Sequence, residues 1–207
     1  MARILFIIAT LLLSIQAAFA KPITLLALGD SLTSGLGLEA NEAFPVKLEM
    51  ALKSHYPELK IINGGIAGDT AVDGLARLDW VLTEDINGII VELGANDALR
   101  GLDVSQTEMA LNGIMVKARL RKLPVLILGM KAPPNMGPDY VARFDRLYPR
   151  LAEKYQALLY PFYLEGVATV ASLNQADGIH PNGQGVDVIV SKVRPSVEEL
   201  IGKAALK

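Results

Sequence analysis

Ile23-Thr24-Leu25-Leu26-Ala27-Leu28 is an apolar run of strand length, interrupted only by Thr24, and it ends at Gly29-Asp30-Ser31. Such a run suits a strand buried on both faces, as in a parallel sheet covered by helices. The same device recurs along the chain. Residues 59–63 close on Gly64-Gly65, residues 86–93 enter Gly94-Ala95-Asn96-Asp97, and residues 124–129 and 157–162 supply a fourth and a fifth expected strand. Between them the apolar spacing becomes helical over residues 44–54, 70–82, 106–122 and 140–156, and again over 186–206, where a bend or step is expected at Pro195. Asp69 or Thr70 is the expected N-cap of the second of these helices. A Pro/Gly-rich loop, residues 132–138, precedes the fourth.

The strand-then-helix order predicts an α/β domain, a three-layer α/β/α sandwich around a central parallel sheet of about five strands. In such sheets ligands bind beyond the carboxyl ends of the strands. Ser31 follows the first strand, the Gly64–Asp69 segment follows the second and Asn96 follows the third. All three should therefore open onto one edge. Asp177 and His180 lie in a late loop that the alternation alone does not place.

Composition narrows the chemistry. The chain has 207 residues, which suits one domain, and about half are apolar, enough for a sizeable core. Its formal charge of −2 gives no electrostatic pull toward nucleic acid or anionic lipid. With no cysteine there is no disulfide, thiolate nucleophile or thiolate metal site, and only two histidines, His55 and His180, can serve as a base. No Walker A sequence is present, nor a G-x-G-x-x-G after a strand, so nucleotide binding lacks a motif.

The first twenty residues read as a secretory signal. Arg3 supplies positive charge, residues 4–13 are apolar apart from Thr10, and Ala18-Phe19-Ala20 gives an A-x-A cleavage site. The apolar run is short for a bilayer-spanning anchor. Cleavage after Ala20 would leave residues 21–207 as the mature domain, in the periplasm or the medium, with no stable membrane anchor.

Four short segments carry the chemistry: Gly29-Asp30-Ser31-Leu32, Gly68-Asp69, Gly94-Ala95-Asn96-Asp97 and Asp177-Gly178-Ile179-His180. In order, and across the whole mature chain, they resemble the signatures of the GDSL or SGNH hydrolase family. The longer stretches from Gly29 to Gly35 and from Val91 to Asp97 are most similar to the bacterial arylesterase, thioesterase I and lysophospholipase subgroup. The resemblance implies a flavodoxin-like fold and a serine hydrolase that needs neither metal nor organic cofactor. The sequence lacks the second glycine of G-x-S-x-G, so the nucleophile elbow of α/β-hydrolases is absent.

Acyl transfer requires a nucleophile, a base and donors for the developing oxyanion. Ser31 is the candidate nucleophile, although a serine in such a loop also serves as a helix N-cap. His180 is the candidate base, and Asp177, three residues earlier, is near enough to bond its Nδ1 and hold the tautomer. His55 is the competing histidine, at an expected helix end where an imidazole commonly meets terminal carbonyls. The Ser31 N–H, the Gly68 N–H and the Asn96 side-chain amide are the candidate oxyanion donors. Asp30, Asp69 and Asp97 read as acceptors for loop amides, because their scattered spacing does not suit a metal site.

Substrate selection is less explicit. Leu32, Leu99, Leu102 and Ile179 are candidate lining residues for an acyl or aryl group, and Arg100 is the one cation beside them, either meeting a phosphate head group or simply solvated. The leading expectation is a monomeric esterase acting on acyl thioesters, lysophospholipids and simple esters. A carbohydrate O-acetyl esterase, which would call for aromatic residues to stack on sugar, and a non-catalytic lipid carrier on the same scaffold are the alternatives. Trp80 is the sole tryptophan.

Overall fold

The computed structural model describes residues 22–206, so the expected export signal lies outside the described residues. Five strands form one parallel sheet: β1 (Ile23–Gly29), β2 (Leu59–Gly65), β3 (Gly88–Glu92), β4 (Val125–Leu128) and β5 (Leu158–Tyr160), in the order β2-β1-β3-β4-β5. That is the flavodoxin-like order, and its switch point falls between β1 and β3, where a ligand crevice opens at the carboxyl ends. The pairing puts Gly29 level with Gly65 on one side and with Glu92 on the other. Every residue of β1 and β3 is buried, as the continuous apolar runs require.

Eight α-helices complete the layers among the described residues: α1 (Ser31–Ser34), α2 (Phe44–Leu52), α3 (Ala71–Val81), α4 (Ala95–Leu99), α5 (Val104–Leu120), α6 (Pro138–Asp145), α7 (Leu147–Tyr155) and α8 (Gly183–Ala205). α2 packs beside α8, whereas α3, α5 and α7 pack in series. Phe44, Leu48 and Leu52 of α2 and Val193, Val197 and Leu200 of α8 are sealed from solvent. So are Leu78 of α3, Ile114 of α5 and Leu147 of α7.

Helix starts follow local chemistry. Thr70 caps α3 in a reciprocal box, accepting from the Asp73 N–H while the Asp73 carboxylate accepts from the Thr70 N–H. α5 begins at Val104, earlier than its apolar spacing suggests, because Asp103 accepts from the Ser105 N–H and caps it there. Asn182 likewise starts α8 at Gly183 by accepting from the Gln184 and Gly185 N–H groups. α8 then runs through Pro195 without ending there.

Two expectations need correction. Residues 140–156 do not form one helix: α6 ends at Asp145 and α7 starts at Leu147. Pro149 has no N–H for the Asp145 carbonyl and its ring crowds that oxygen, which weakens a continuous helix at the point where α6 gives way to α7. The Asp145 carboxylate instead accepts from the Ala132 N–H, which ties the break to the loop after β4. The second correction concerns the loop expected at Ser31: β1 leads past Asp30 into the short helix α1, as β3 leads past Leu93 and Gly94 into α4.

Candidate active site

Ser31 is the first residue of α1, and its own capping explanation fails. Asp30 is the N-cap, its Oδ1 accepting from the Leu32 N–H at 3.0 Å. The Ser31 hydroxyl is thereby left for His180, whose Nε2 lies 2.9 Å from Ser31 Oγ. His180 arrives from the loop before α8, and that loop is built by its own polar groups. The Gln175 N–H donates to the His180 carbonyl, the Asn182 N–H donates to the Leu173 carbonyl, and Asn174 pairs with Pro181 in an isolated antiparallel bridge. Gln175 Nε2 then reaches the Leu36 carbonyl at 2.8 Å, anchoring the loop over the segment that follows α1. This tie sets the position that strand-helix alternation leaves open.

Asp177 serves both the backbone and the ring. Its Oδ1 accepts from the Ile179 N–H at 2.9 Å and the His180 N–H at 3.0 Å, while Oδ2 lies 2.6 Å from His180 Nδ1. The His180 side chain, then the Ile179 and His180 amides, hold the Asp177 carboxyl down at about 2. A carboxylate accepts only, so His180 Nδ1 carries the proton and Nε2 presents a lone pair to the Ser31 hydroxyl. His55 is elsewhere, exposed beyond α2 with Nδ1 3.0 Å from Ser54 Oγ.

The candidate oxyanion donors converge from three strand ends. Gly68, in the β2–α3 loop, has φ +87°, a left-handed conformation that favours glycine. A Cβ there would meet only Arg100 Nη2, at 3.6 Å, so the backbone angle and not space requires glycine. Arg100 is exposed, and its Nη2 donates to the Gly68 carbonyl at 2.7 Å and fastens that turn. Neither the Ser31 N–H nor the Gly68 N–H meets an acceptor among the described residues. Asn96 differs, since its Nδ2 donates to Asp30 Oδ2 at 3.1 Å and to the Asp69 carbonyl at 3.0 Å. Both neighbours accept only, so the amide is turned with its nitrogen toward them, and an oxyanion would have to share one of these hydrogens.

Of the aspartates expected to accept from loop amides, Asp30 and Asp97 do so, whereas Asp69 pairs with a guanidinium instead. Asp69 accepts from Arg77 Nε at 2.6 Å, and Arg77 Nη2 donates to the Gly29 carbonyl. Asp97 accepts from the Ala71 N–H at the start of α3 and from Thr107 Oγ1 on α5, so it joins the two helices behind the site. Asp30 has a second, unforeseen neighbour in Glu92. Burial pushes the Asp30 carboxyl up to about 6, against the opposing effects of the Leu32 N–H, Glu92, His180 and Asn96. Glu92 is buried, accepts from Thr33 Oγ1 at 2.6 Å, and is raised well above the usual range by burial and by Asp30. Its sequence signal is a carboxylate ending an otherwise apolar strand, and neither Glu92 nor Thr33 is among the candidate site residues the sequence offers.

The candidate substrate residues divide. Leu99 and Ile179 stand exposed beside Asn96 and His180, and Leu102 is half-buried, its carbonyl accepting from Tyr140 Oη. Leu32 does not fit the expectation of a lining residue: it points into the core and is packed among the strand and helix side chains. Ile66, two residues before Gly68, and Leu36, beyond α1, are exposed apolar residues of the same edge. Trp80 is exposed near the end of α3, whose opposite end adjoins Gly68.

The model of the GDSL-like lipase/acylhydrolase family matches residues 27–188. The chain is 38% identical over 195 residues to esterase TesA of Pseudomonas aeruginosa, covering 94% of this chain and 96% of that protein. It is 36% identical over 191 residues to thioesterase 1/protease 1/lysophospholipase L1 of Escherichia coli, covering 92% of this chain and 89% of that protein. Among solved structures, TesA superposes with a TM-score of 0.81 at 38% identity, covering 86% of this chain and 99% of that one. AlinE4, described as an SGNH-hydrolase family esterase, superposes with a TM-score of 0.73 at 46% identity, covering 86% and 96%.

Proposed function

The chain belongs to the GDSL-like lipase/acylhydrolase family, and from that premise we propose that Ser31 is the nucleophile with which it hydrolyses carboxylic ester and thioester bonds. The observation that carries this reading is the continuous run of hydrogen bonds from Ser31 Oγ through His180 to Asp177. His180 Nε2 takes the Ser31 proton as Oγ attacks the carbonyl carbon, and Asp177 holds the ring and stabilises the imidazolium. The oxyanion accepts from the free N–H groups of Ser31 and Gly68 and from a hydrogen shared by Asn96. Collapse expels the alcohol or thiol, which takes its proton from His180. Water, deprotonated by the same nitrogen, then releases the acid and restores Ser31.

The edge of the sheet supports one substrate class over another. Leu99, Ile179, Ile66 and Leu36 offer apolar surface that an acyl chain or aryl group can bury at about 25 cal/mol per Å². This favours lipid and aryl esters over acetylated sugar, for which the one tryptophan is remote. The sequence of residues 1–20 supports export to the periplasm or medium, and no helix among the described residues is long and apolar enough to cross a membrane. A monomer is proposed, since Ser31, His180 and Asp177 complete their hydrogen-bonded run without a partner's residue.

A panel of p-nitrophenyl esters from acetate to palmitate, assayed with the purified protein, tests the reading. Hydrolysis that is strongest beyond acetate is expected. Folded protein inert on every chain length would overturn the proposal, and activity confined to acetate would move it to the acetyl esterase.

A further inference from the structure

Beneath the Asp30–Ser31 turn lies a carboxyl group that the reaction does not use. Glu92 closes β3 level with Gly29, is 1% exposed, and accepts through Oε2 from Thr33 Oγ1 at 2.6 Å and from the Asp30 N–H at 3.3 Å. Its Oε1 is the one buried side-chain polar atom among the described residues with no partner. Asp30, equally sealed, is next to it. Two ionised carboxylates so close and so dry would repel, and desolvation opposes each charge.

No cation resolves the conflict. Arg77 of α3 is taken by Asp69 and the Gly29 carbonyl. The other titratable groups facing the pair are His180 from the late loop, Tyr148 of α7 and Tyr163 beyond β5, with Asp97 of α4 on the far side of Tyr148. Both phenols are buried and stay neutral, and Asp97 is occupied by the Ala71 N–H and Thr107. The pair therefore keeps one proton. The anion is better placed on Asp30, whose two oxygens accept from the Leu32 N–H and from Asn96 Nδ2, than on Glu92 with its bare Oε1. The directions agree, since Glu92 is raised well above its ordinary range whereas Asp30 rises only to about 6.

We propose that Glu92 is a positioning residue for the oxyanion site: a neutral carboxyl group that braces Thr33 and the Asp30 N–H and leaves Asp30 as the single buried anion against which Asn96 is aimed. The inference rests on the oxyanion role of Asn96 given under Proposed function. Ionising Glu92 places a second negative charge behind Asp30, and the turn that presents Ser31 and orients Asn96 is pushed apart. The requirement for space is visible in Gly29, where a Cβ would lie 2.6 Å from Glu92 Oε2 and 2.0 Å from Thr33 Oγ1.

The test compares Glu92→Gln, Glu92→Ala and Asn96→Ala with the unaltered protein. The readouts are kcat and KM on p-nitrophenyl butyrate from pH 5 to 10 and the infrared band of a protonated carboxyl group at pH 8. Gln is the neutral isostere and should keep kcat within about threefold while extending activity to higher pH, whereas Ala should lower kcat about tenfold or more with KM little changed. The infrared band should be present in the unaltered protein and absent from Glu92→Gln. A folded Glu92→Gln as impaired as Ala, an unshifted alkaline limb, a missing band, or a Glu92→Ala of full activity would each overturn the proposal. Should Glu92→Ala fail to fold, the pH profile and the band of the Gln comparison decide alone. Full activity in Asn96→Ala would remove the oxyanion reading of Asn96, and the band would still report separately whether Glu92 is neutral.

Discussion

His180 Nε2 lies 2.9 Å from Ser31 Oγ although 149 residues separate the two. Each side of the contact is held by an aspartate acting on backbone. Asp30 caps α1 through the Leu32 N–H, and Asp177 gathers the Ile179 and His180 amides. Neither Ser31 nor His180 has to brace its own loop, so both side chains are available for proton transfer. The contact is assembled in advance, which is where much of a catalyst's advantage over solution chemistry arises.

Ser31→Ala follows directly. Ester turnover should fall by at least about 10³-fold, leaving whatever rate oxyanion donors and binding alone provide. The melting temperature should barely move, because the hydroxyl has only His180 as a partner and the cap belongs to Asp30. Initial rates on p-nitrophenyl butyrate and a thermal melt check both halves, and a fully active variant sinks the nucleophile assignment.

The two histidines separate in the same assay. His180→Ala should lose turnover about as completely as Ser31→Ala, since the residues act as one unit. His55→Ala should keep nearly all of it, because His55 is exposed beyond α2 and contacts Ser54 only locally. The reverse pattern would reassign the base.

Asp177→Asn isolates the ring contact from the loop. The Asn oxygen can still accept from the Ile179 and His180 amides, but an NH₂ group facing Nδ1 favours the tautomer with its proton on Nε2, which cannot accept from Ser31. The kcat should drop by up to about 10⁴-fold near neutral pH with the fold retained. The Asp177 carboxyl sits at about 2 in the folded protein, below its unfolded value. It therefore contributes stability that is present above the unfolded value and lost as pH falls toward 2. The melting-temperature gap between the unaltered protein and Asp177→Asn should accordingly close over that acidic range, and a gap that persists at pH 2 would contradict the linkage.

Much of this arrangement is legible in the sequence, for identifiable reasons. Buried parallel strands are continuous apolar runs, so β1 and β3 can be seen without tertiary knowledge, and the glycine-rich ends of β1, β2 and β3 mark one functional edge. Legibility ends where long-range partners decide. The late loop is set over Ser31 by Gln175 reaching the Leu36 carbonyl, a contact with no local pattern. Leu32 reads as a lining residue until the short helix α1 turns it into the core. Glu92 is legible as a charge at the end of an apolar strand, but its meaning depends on Asp30 and Thr33, which follow β1. The division of α6 from α7 is only partly legible: Pro149 weakens a continuous helix, but α8 passes through Pro195, so a proline by itself does not mark a break.

Two glycines test space against backbone angle. Gly68 has φ +87° and open room around a Cβ, whereas Gly29 has an ordinary φ and a Cβ there would collide with Thr33 and Glu92. Gly68→Ala should be strained by about 1–2 kcal/mol in its native conformation. It can relieve that strain by rotating the turn, which re-aims the N–H proposed to meet the oxyanion. Its signature is therefore a fall in kcat with KM little changed and only a modest loss of stability. Gly29→Ala cannot relax without moving Thr33 or Glu92, and overpacking of this kind costs about 1–3 kcal/mol. It should lower the melting temperature clearly as well as kcat. Denaturant melts and steady-state kinetics on the two variants decide the matter. If Gly68→Ala loses stability more than Gly29→Ala while keeping full kcat, the Gly68 amide does not serve the reaction.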